Sequence, residues 1–192
     1  MTEQQEASED ALMTRIGQAV ILLHAGDREE ARNRLGAIWQ EIGEQGDRLH
    51  RCTLAHYMAD AQDDPADELA WDLRALTAAD ALTAADALTA ADALGDGSGS
   101  GDDGSGFGRP ALREPHPAMR VFYPSLHLSL AADYLKLQRP EAARVHLARA
   151  RAAAGALADD GYGNGVRAAI ARLERRLAAE PGPRPRPFPE QS

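Results

Sequence analysis

The chain has few of the residues that build disulfide frameworks, β-sheets or basic surfaces. Its 192 residues include one cysteine, Cys52, so no disulfide can form within the chain. Aromatic residues make up only 5% of the sequence, and β-branched residues are also few, which disfavours sheet. Lys136 is the single lysine. The longest apolar run, residues 19–23, is far too short to cross a membrane.

What is plentiful is alanine, leucine and acidic charge. The formal net charge is −9, but residues 1–108 carry −15 and residues 109–192 carry +6. An acidic chain lacks the basic surface that neutralises phosphates, so no nucleic-acid partner is expected. Either the two halves attract each other or the basic half docks an acidic partner. The first ten residues are polar and acidic, unlike a signal peptide, which predicts a cytoplasmic protein without a membrane partner.

A 21-residue pattern occurs three times, at residues 18–38, 54–74 and 130–150. Each copy has a small residue at its second position, a large residue three positions later and another large residue thirteen positions after that. These columns are Ala19, Ala55 and Ala131, then Leu22, Met58 and Tyr134, then Leu35, Trp71 and Leu147. This spacing predicts an amphipathic helix, a short break and a second helix. One such hairpin cannot bury its apolar face alone, so the hairpins must stack.

Local signals predict where the helices start and end. Ser8 or Asp10 can cap the first helix, which ends at Gly26, and Asp27 and Asp47 can cap the next two. Pro65, Pro124 and Pro140 are predicted to open the fourth, fifth and sixth helices. A last helix at 165–179 carries apolar residues on one side and arginines on the other, as a capping helix would. Its apolar residues are Val166, Ile170, Leu173 and Leu177.

The segment between the second and third copies has a different composition. It begins with a six-residue repeat, LTAADA, and continues into GDGSGSGDDGSGFG at 95–108. A period of six turns each successive leucine by 240° on a helix, so no apolar stripe forms. We expect the repeat to extend the fourth helix into solvent, as an accidental expansion or a functional spacer. A flexible linker should follow it.

The aligned columns resemble the tetratricopeptide-repeat (TPR) family, and residues 50–74 resemble small TPR-like proteins of actinobacteria. The resemblance implies an all-α, right-handed α-α superhelix of about three hairpins plus a C-terminal capping helix, interrupted by a disordered insert. The expected divisions are a disordered N-terminus at 1–7, two hairpins at 8–76 and the low-complexity insert at 77–117. The third hairpin and capping helix then occupy 118–180, and a Pro-rich disordered tail occupies 181–192.

In that family the first helix of each hairpin lines a concave groove that binds peptides. The resemblance therefore implies a cytoplasmic adaptor or scaffold that receives a peptide or helix from a protein partner. The positions that it assigns to the groove are Met13, Ile16, Val20, His24, Leu49, Cys52, His56, Asp60, Ser125, Leu128, Ala132 and Lys136. Chaperone-tail recognition is not expected, because Val20, His56 and Ala132 stand where a carboxylate clamp would have asparagine.

Two other functions stay open. The same fold could form a homo-oligomer through the fourth or the capping helix. His56 and Asp60, one helical turn apart, could pair with each other, bind a metal or exchange protons. The sequence has none of the common catalytic or nucleotide-binding motifs, so no enzyme activity and no cofactor are expected. The acidic residues around Asp63 and Asp64 predict a solvated turn rather than a calcium loop.

Overall fold

The structure, a computed structural model, describes residues 3–95 and 117–179, with side chains described for 10–85 and 119–179. The described part of the chain is all-α, as predicted. Its helices are α1 (Glu3–His24), α2 (Arg28–Ile42), α3 (Arg48–Asp60), α4 (Pro65–Gly95), α5 (Pro117–Lys136), α6 (Pro140–Ala153) and α7 (Gly161–Ala179). A single 3-10 turn, Ala154–Ala156, follows α6.

Several predicted helix boundaries are confirmed. The Asp27 carboxylate accepts a hydrogen bond from the backbone N–H of Glu30 at 3.3 Å, and Asp47 accepts one from His50 at 3.0 Å. Pro65 opens α4 and Pro140 opens α6, at positions where a missing N–H leaves no helical bond unmade. These starts were predictable because the capping residue and the group that it satisfies are neighbours in sequence.

Other boundaries differ from the prediction. The first helix begins at Glu3, within the segment 1–7 that was predicted to be disordered. Pro124 does not open the fifth helix but lies inside α5, although proline removes one backbone hydrogen bond there. Pro124 is fully buried, so tertiary packing outweighs that loss. The last helix starts at Gly161, because the Asp160 carboxylate caps it by accepting from the N–H of Gly163 at 2.8 Å.

The six-residue repeat continues α4 to Gly95, but its part up to Thr83 does not extend into solvent as predicted. Ala79 is fully buried and Thr83 is 7% exposed, and the cluster that contains Ala79 also includes Met119 of α5. The Tyr123 hydroxyl of α5 donates to Asp80 of α4 at 2.7 Å. Alanine and threonine spaced by four residues form the contact, which the spacing of the leucines alone does not reveal. The predictions for the linker and the Pro-rich tail fall outside the described residues.

Each helix contacts the next one along the chain, from α1 with α2 to α6 with α7. This includes α4 and α5, although the insert separates them in sequence. In addition, α1 contacts α3 and α5 contacts α7. Within the described residues, no contact of comparable extent joins α2 to α4 or α4 to α6. The architecture is therefore a sequential stack of hairpins, in which the third hairpin packs on the second chiefly through α4.

The core runs through this stack as three clusters of buried side chains. The first joins α1, α2 and α3 around Ile16, Leu35 and Leu54. The second lies between α3, α4 and α5, and the third between α5, α6 and α7. All four apolar residues predicted for the inner face of the last helix are 4–8% exposed in the third cluster. No helix in the described ranges is long and apolar enough to span a bilayer.

The turns of the first and third hairpins have the same backbone pattern. The N–H of Gly26 donates to Leu23 at 3.1 Å and that of Asp27 to Leu22 at 3.0 Å. At the equivalent positions Gln138 donates to Leu135 at 3.1 Å, and Arg139 to Tyr134 at 2.8 Å. Gly26 and Gln138 both have positive φ, 92° and 56°. The first and third copies of the sequence pattern therefore share the structure of their turn.

Candidate functional site

The positions predicted for the groove lie on α1, α3 and α5, and most of them reach the surface. Met13, His24, Asp60 and Lys136 are exposed, and six more are partly exposed: Val20, Leu49, His56, Ser125, Leu128 and Ala132. Ile16 and Cys52 are 1% and 0% exposed. These two residues pack in the first and second core clusters, so they offer no surface to a partner.

A cluster of ionisable side chains lies where α3, α4 and α5 meet, and we call it the polar junction. It consists of His56, Glu68, Asp72, Asp133 and Lys136. The His56 Nδ1 lies 3.1 Å from an Asp72 carboxylate oxygen. The Lys136 ammonium donates to Glu68 at 2.5 Å and to the Asp133 Oδ1 at 3.3 Å. The junction therefore ties the second hairpin to the third by polar contacts.

Asp133 is the most deeply buried acid of the junction. It is 1% exposed, and its Oδ2 has no hydrogen-bond partner among the described residues. Burial raises its pKa to about 8, and the nearby carboxylates of Asp72 and Glu68 contribute to the rise, against the opposing charge of Lys136. A neutral Asp133 can donate from Oδ2 to Asp72, which satisfies the otherwise unpaired atom. Near neutral pH Asp133 therefore keeps its proton.

The nearby Asp72 carboxylate favours the neutral form of Asp133 but the charged form of His56. Burial alone would lower its pKa, but the hydrogen bond to Asp72, with the charges of Asp72 and Asp60, raises the pKa above its ordinary value. The predicted pairing of His56 with Asp60 is wrong in its partner, because the hydrogen bond goes to Asp72 on α4. The described residues contain no group of three or more side chains arranged to hold a metal ion.

Asp72 is a residue of the junction that the repeat columns do not single out, although the sequence contains a signal for it. Asp72 follows Leu69 and precedes Ala75 by three residues each, and both are buried. An acidic residue inside the apolar stripe of a helix requires a buried partner. Which residue supplies that partner depends on how α3 and α5 pack, and this cannot be read from local spacing.

The polar junction lies next to an open depression of about 570 Å³, which Asp60, Glu68 and Lys136 line together with Leu23 and His24 of α1. The depression is at the C-terminal ends of α1, α3 and α5, so it forms one end of the predicted groove. The acidic turn beside it is held by ion pairs of Asp63 with Arg28 and Arg32, at 3.2 and 2.6 Å, which agrees with a surface turn.

A second buried polar contact lies between α5 and α6. The Nδ1 atoms of His127 and His146 are 3.2 Å apart, and the Tyr134 ring stacks on His146 at 5.3 Å between centroids. Burial lowers the pKa of His127 to about 4, and the charges of His146 and Arg149 act in the same direction. Burial also lowers the pKa of His146. Both rings are therefore neutral near pH 7, so one can donate to the other.

Comparisons with known proteins do not assign the chain to a family. No protein-family model matches it, no curated protein is significantly similar to it, and no solved structure matches it. The TPR resemblance therefore stays a prediction that depends on the repeated columns of the sequence.

Proposed function

We propose that the protein is an interaction adaptor with a TPR-like superhelix, and that α1, α3 and α5 together form the surface that binds a peptide or short helix of a partner. The contact of α1 with α3 supports this arrangement, as does that of α5 with α7, because first helices of neighbouring hairpins lie side by side in such a stack. Within the described residues α3 and α5 are joined through α4 rather than by a contact of that extent. The even-numbered helices, without comparable contacts between them, would then form the outer surface.

The observation that carries the proposal is that α1 and α5 each leave apolar side chains of one helix face exposed or partly exposed. On α1 the stripe contains Met13, Val20 and His24, and Met13 is 44% exposed. On α5 the stripe runs from Val121, which is 48% exposed, to Leu128. Both stripes follow the spacing that places residues on one helix face. Apolar side chains that stay accessible on one helix face are typical of interaction sites.

Tyr162 of α7 extends the α5 stripe. Its hydroxyl donates to the Val121 carbonyl at 3.1 Å and lies 3.3 Å from the Ser125 hydroxyl, while the side chain stays 46% exposed. An aromatic ring that is held by its hydroxyl is a suitable anchor for an apolar partner side chain, because little freedom is lost on binding. The polar junction at the other end would set the direction of the bound segment.

A double variant, Val20→Glu with Leu128→Glu, tests the proposal, and Val145→Glu is the matched control. Val145 is 51% exposed on α6, outside the proposed binding surface. We expect affinity capture followed by binding of the purified partner to show retention by the wild type and the control, and loss by the double variant. Circular dichroism must first show that all three proteins are folded. Partner binding by the double variant equal to that of the wild type would contradict the proposal.

Self-association is a second candidate, favoured by one observation at the C-terminal end of the stack. An open groove of about 750 Å³ between α6 and α7 is lined by Leu147, Ala148, Leu177 and Ala178. A second copy of the chain could cover it, as a further hairpin would in a longer stack. Size-exclusion chromatography with light scattering tests this, and a monomer at micromolar concentration would eliminate it.

A further inference from the structure

A separate feature lies away from the proposed peptide surface, in a polar depression of about 500 Å³ between the α2–α3 loop, the first turns of α3 and the middle of α4. Three arginines line it, Arg48 and Arg51 from α3 and Arg74 from α4, and two carboxylates, Glu44 and Asp47, also line it. We call it the arginine depression. The peptide-binding proposal makes no use of it.

The arginine depression is unusual because of where it lies in the charge distribution. Residues 1–108 contain 22 acidic residues and only 7 arginines. Four of these arginines form ion pairs with carboxylates: Arg15, Arg28, Arg32 and Arg34. The other three have no carboxylate partner within the described side chains, and all three line this one depression. In the most acidic part of the chain, the uncompensated positive charge is therefore concentrated at one place.

Two of the three guanidinium groups are held in position by tryptophan rings. The Arg51 Cζ lies 4.4 Å from the centroid of the Trp39 ring, and the Arg74 Cζ lies 4.5 Å from that of Trp71. The two rings meet edge to face, with centroids 5.1 Å apart. Arg51 also donates to the Gly43 carbonyl. Stacking on a ring face orients a guanidinium but leaves N–H groups at its edge available to an acceptor.

The two acidic residues do not neutralise the depression. Asp47 caps α3 by accepting from the His50 N–H, and it also lies 3.4 Å from the His50 ring nitrogen. Glu44 is exposed and forms no ion pair with a described residue. Three arginines against two carboxylates leave a net charge of +1, so an anion that enters the depression meets preoriented donors and a favourable potential.

We infer that the arginine depression is an anion-binding site that takes a phosphate group, held by Arg48, Arg51 and Arg74. Phosphate fits better than a carboxylate because a single guanidinium fork already satisfies the two oxygens of a carboxylate. Three convergent arginines match an anion with more oxygens and a charge near −2. The depression is larger than inorganic phosphate alone, so the phosphate group can belong to a larger molecule.

Trp39 and Trp71 are the only tryptophans of the chain, so intrinsic fluorescence reports on this site without a label. Titration of the full chain with inorganic phosphate at constant ionic strength should change the emission in a saturable way. Sodium acetate, the carboxylate probe, should give a clearly weaker response at equal concentration. Phosphorus NMR line broadening of the added phosphate should follow the same binding curve, which excludes a purely optical effect.

Variants identify the residues responsible. Arg48→Gln removes a guanidinium that touches neither tryptophan, and loss of one charge-assisted contact should weaken phosphate binding by roughly tenfold or more. Glu44→Gln removes an opposing charge and should tighten binding by about two- to fivefold. Arg34→Gln, at an arginine already paired with Glu30, is the control and should bind like the wild type. No saturable response, an equal response to acetate, or unchanged binding by Arg48→Gln would each overturn the inference.

Discussion

Histidine meets two different kinds of partner within the helical stack, and the two surroundings shift its pKa in opposite directions. At the polar junction, His56 contacts the Asp72 carboxylate, and its pKa is raised. Between α5 and α6, His127 contacts another histidine, and burial lowers its pKa to about 4. Burial is common to both, so the difference comes from the partner. A carboxylate partner raises the pKa of such a histidine, whereas a second ring leaves the lowering by burial unopposed.

The polar junction and the pair of His127 and His146 also make the stability of the protein depend on pH in opposite directions. The pKa of Asp133 is about 8 in the folded state, against 3.8 for the free side chain. The folded state therefore holds the extra proton, and this group lowers stability as pH rises from about 4 to 8. The pKa of His127 is about 4 against 6.5, so this group lowers stability as pH falls from about 6.5 to 4. We call the loss that comes from Asp133 the alkaline limb and the loss that comes from His127 the acid limb. Between about pH 4 and 6.5 the two offset each other, so we expect stability to be nearly level there and to fall from about pH 6.5 to 8.

The largest expected effect is that of Asp133→Asn, which removes the alkaline limb. The asparagine amide can donate to Asp72 as the neutral acid does, without titrating. At pH 8 the variant should exceed the wild type in unfolding free energy by roughly 2–4 kcal/mol, because a tenfold difference in proton affinity between the folded and unfolded states corresponds to about 1.4 kcal/mol. Near pH 5 the two should be similar. Urea unfolding across this range measures the difference, and parallel stability profiles of the two proteins would contradict the raised pKa of Asp133.

His127→Gln should remove the acid limb, and its effect on stability should be smaller than that of Asp133→Asn. Glutamine can still hydrogen-bond to His146 but takes up no proton, so stability should no longer fall between pH 6.5 and 4. Relative to the profile of each protein at pH 7, the variant should retain roughly 2–3 kcal/mol more at pH 4. Thermal unfolding measured by circular dichroism gives both profiles. Profiles that change equally in the variant and the wild type across this window would contradict the lowered pKa of His127.

The smallest effects come from the surface side of the polar junction and should have opposite signs. Lys136→Met removes a charge that lowers the pKa of Asp133, so the alkaline limb should extend to higher pH. Glu68→Gln removes a negative charge that raises the pKa of Asp133, so the alkaline limb should end at lower pH. The Lys136 side chain is 41% exposed, so its ion pair should contribute less than about 1 kcal/mol. Carbon NMR titration of the Asp133 carboxyl resolves both changes in pKa, and changes of the same sign would contradict this assignment.

Local features of the fold were predictable from sequence, and contacts across the stack were not. Asp27, Asp47 and Pro65 mark helix starts because the group that each satisfies lies within a few residues. The turn at Gly26 is similar, although Gln138 adopts a positive φ at the equivalent position without glycine. By contrast, Asp72 and Asp133 are 61 positions apart in the chain and meet only because α4 packs on α5.

The candidate site shows the same division. Repeat columns placed most of the proposed binding residues on exposed faces, but Ile16 and Cys52 turned out to be core residues. Periodicity gives the direction in which a side chain leaves its own helix. It does not give the distance to the next helix, and that distance decides whether a position is a surface or an interior one. The prediction for the first copy of the six-residue repeat was wrong for the same reason, since α5 covers Ala79.

Cys52 provides a natural probe of how the two halves of the molecule separate. It is fully buried between α3, α4 and α5, and burial raises the pKa of its thiol to about 12. A thiol in that state is unreactive, so a thiol-specific reagent can modify it only while the third hairpin is detached from the second or the chain is unfolded. The modification rate of this single cysteine therefore measures how often the stack opens at its middle joint, separately from whether either end is intact.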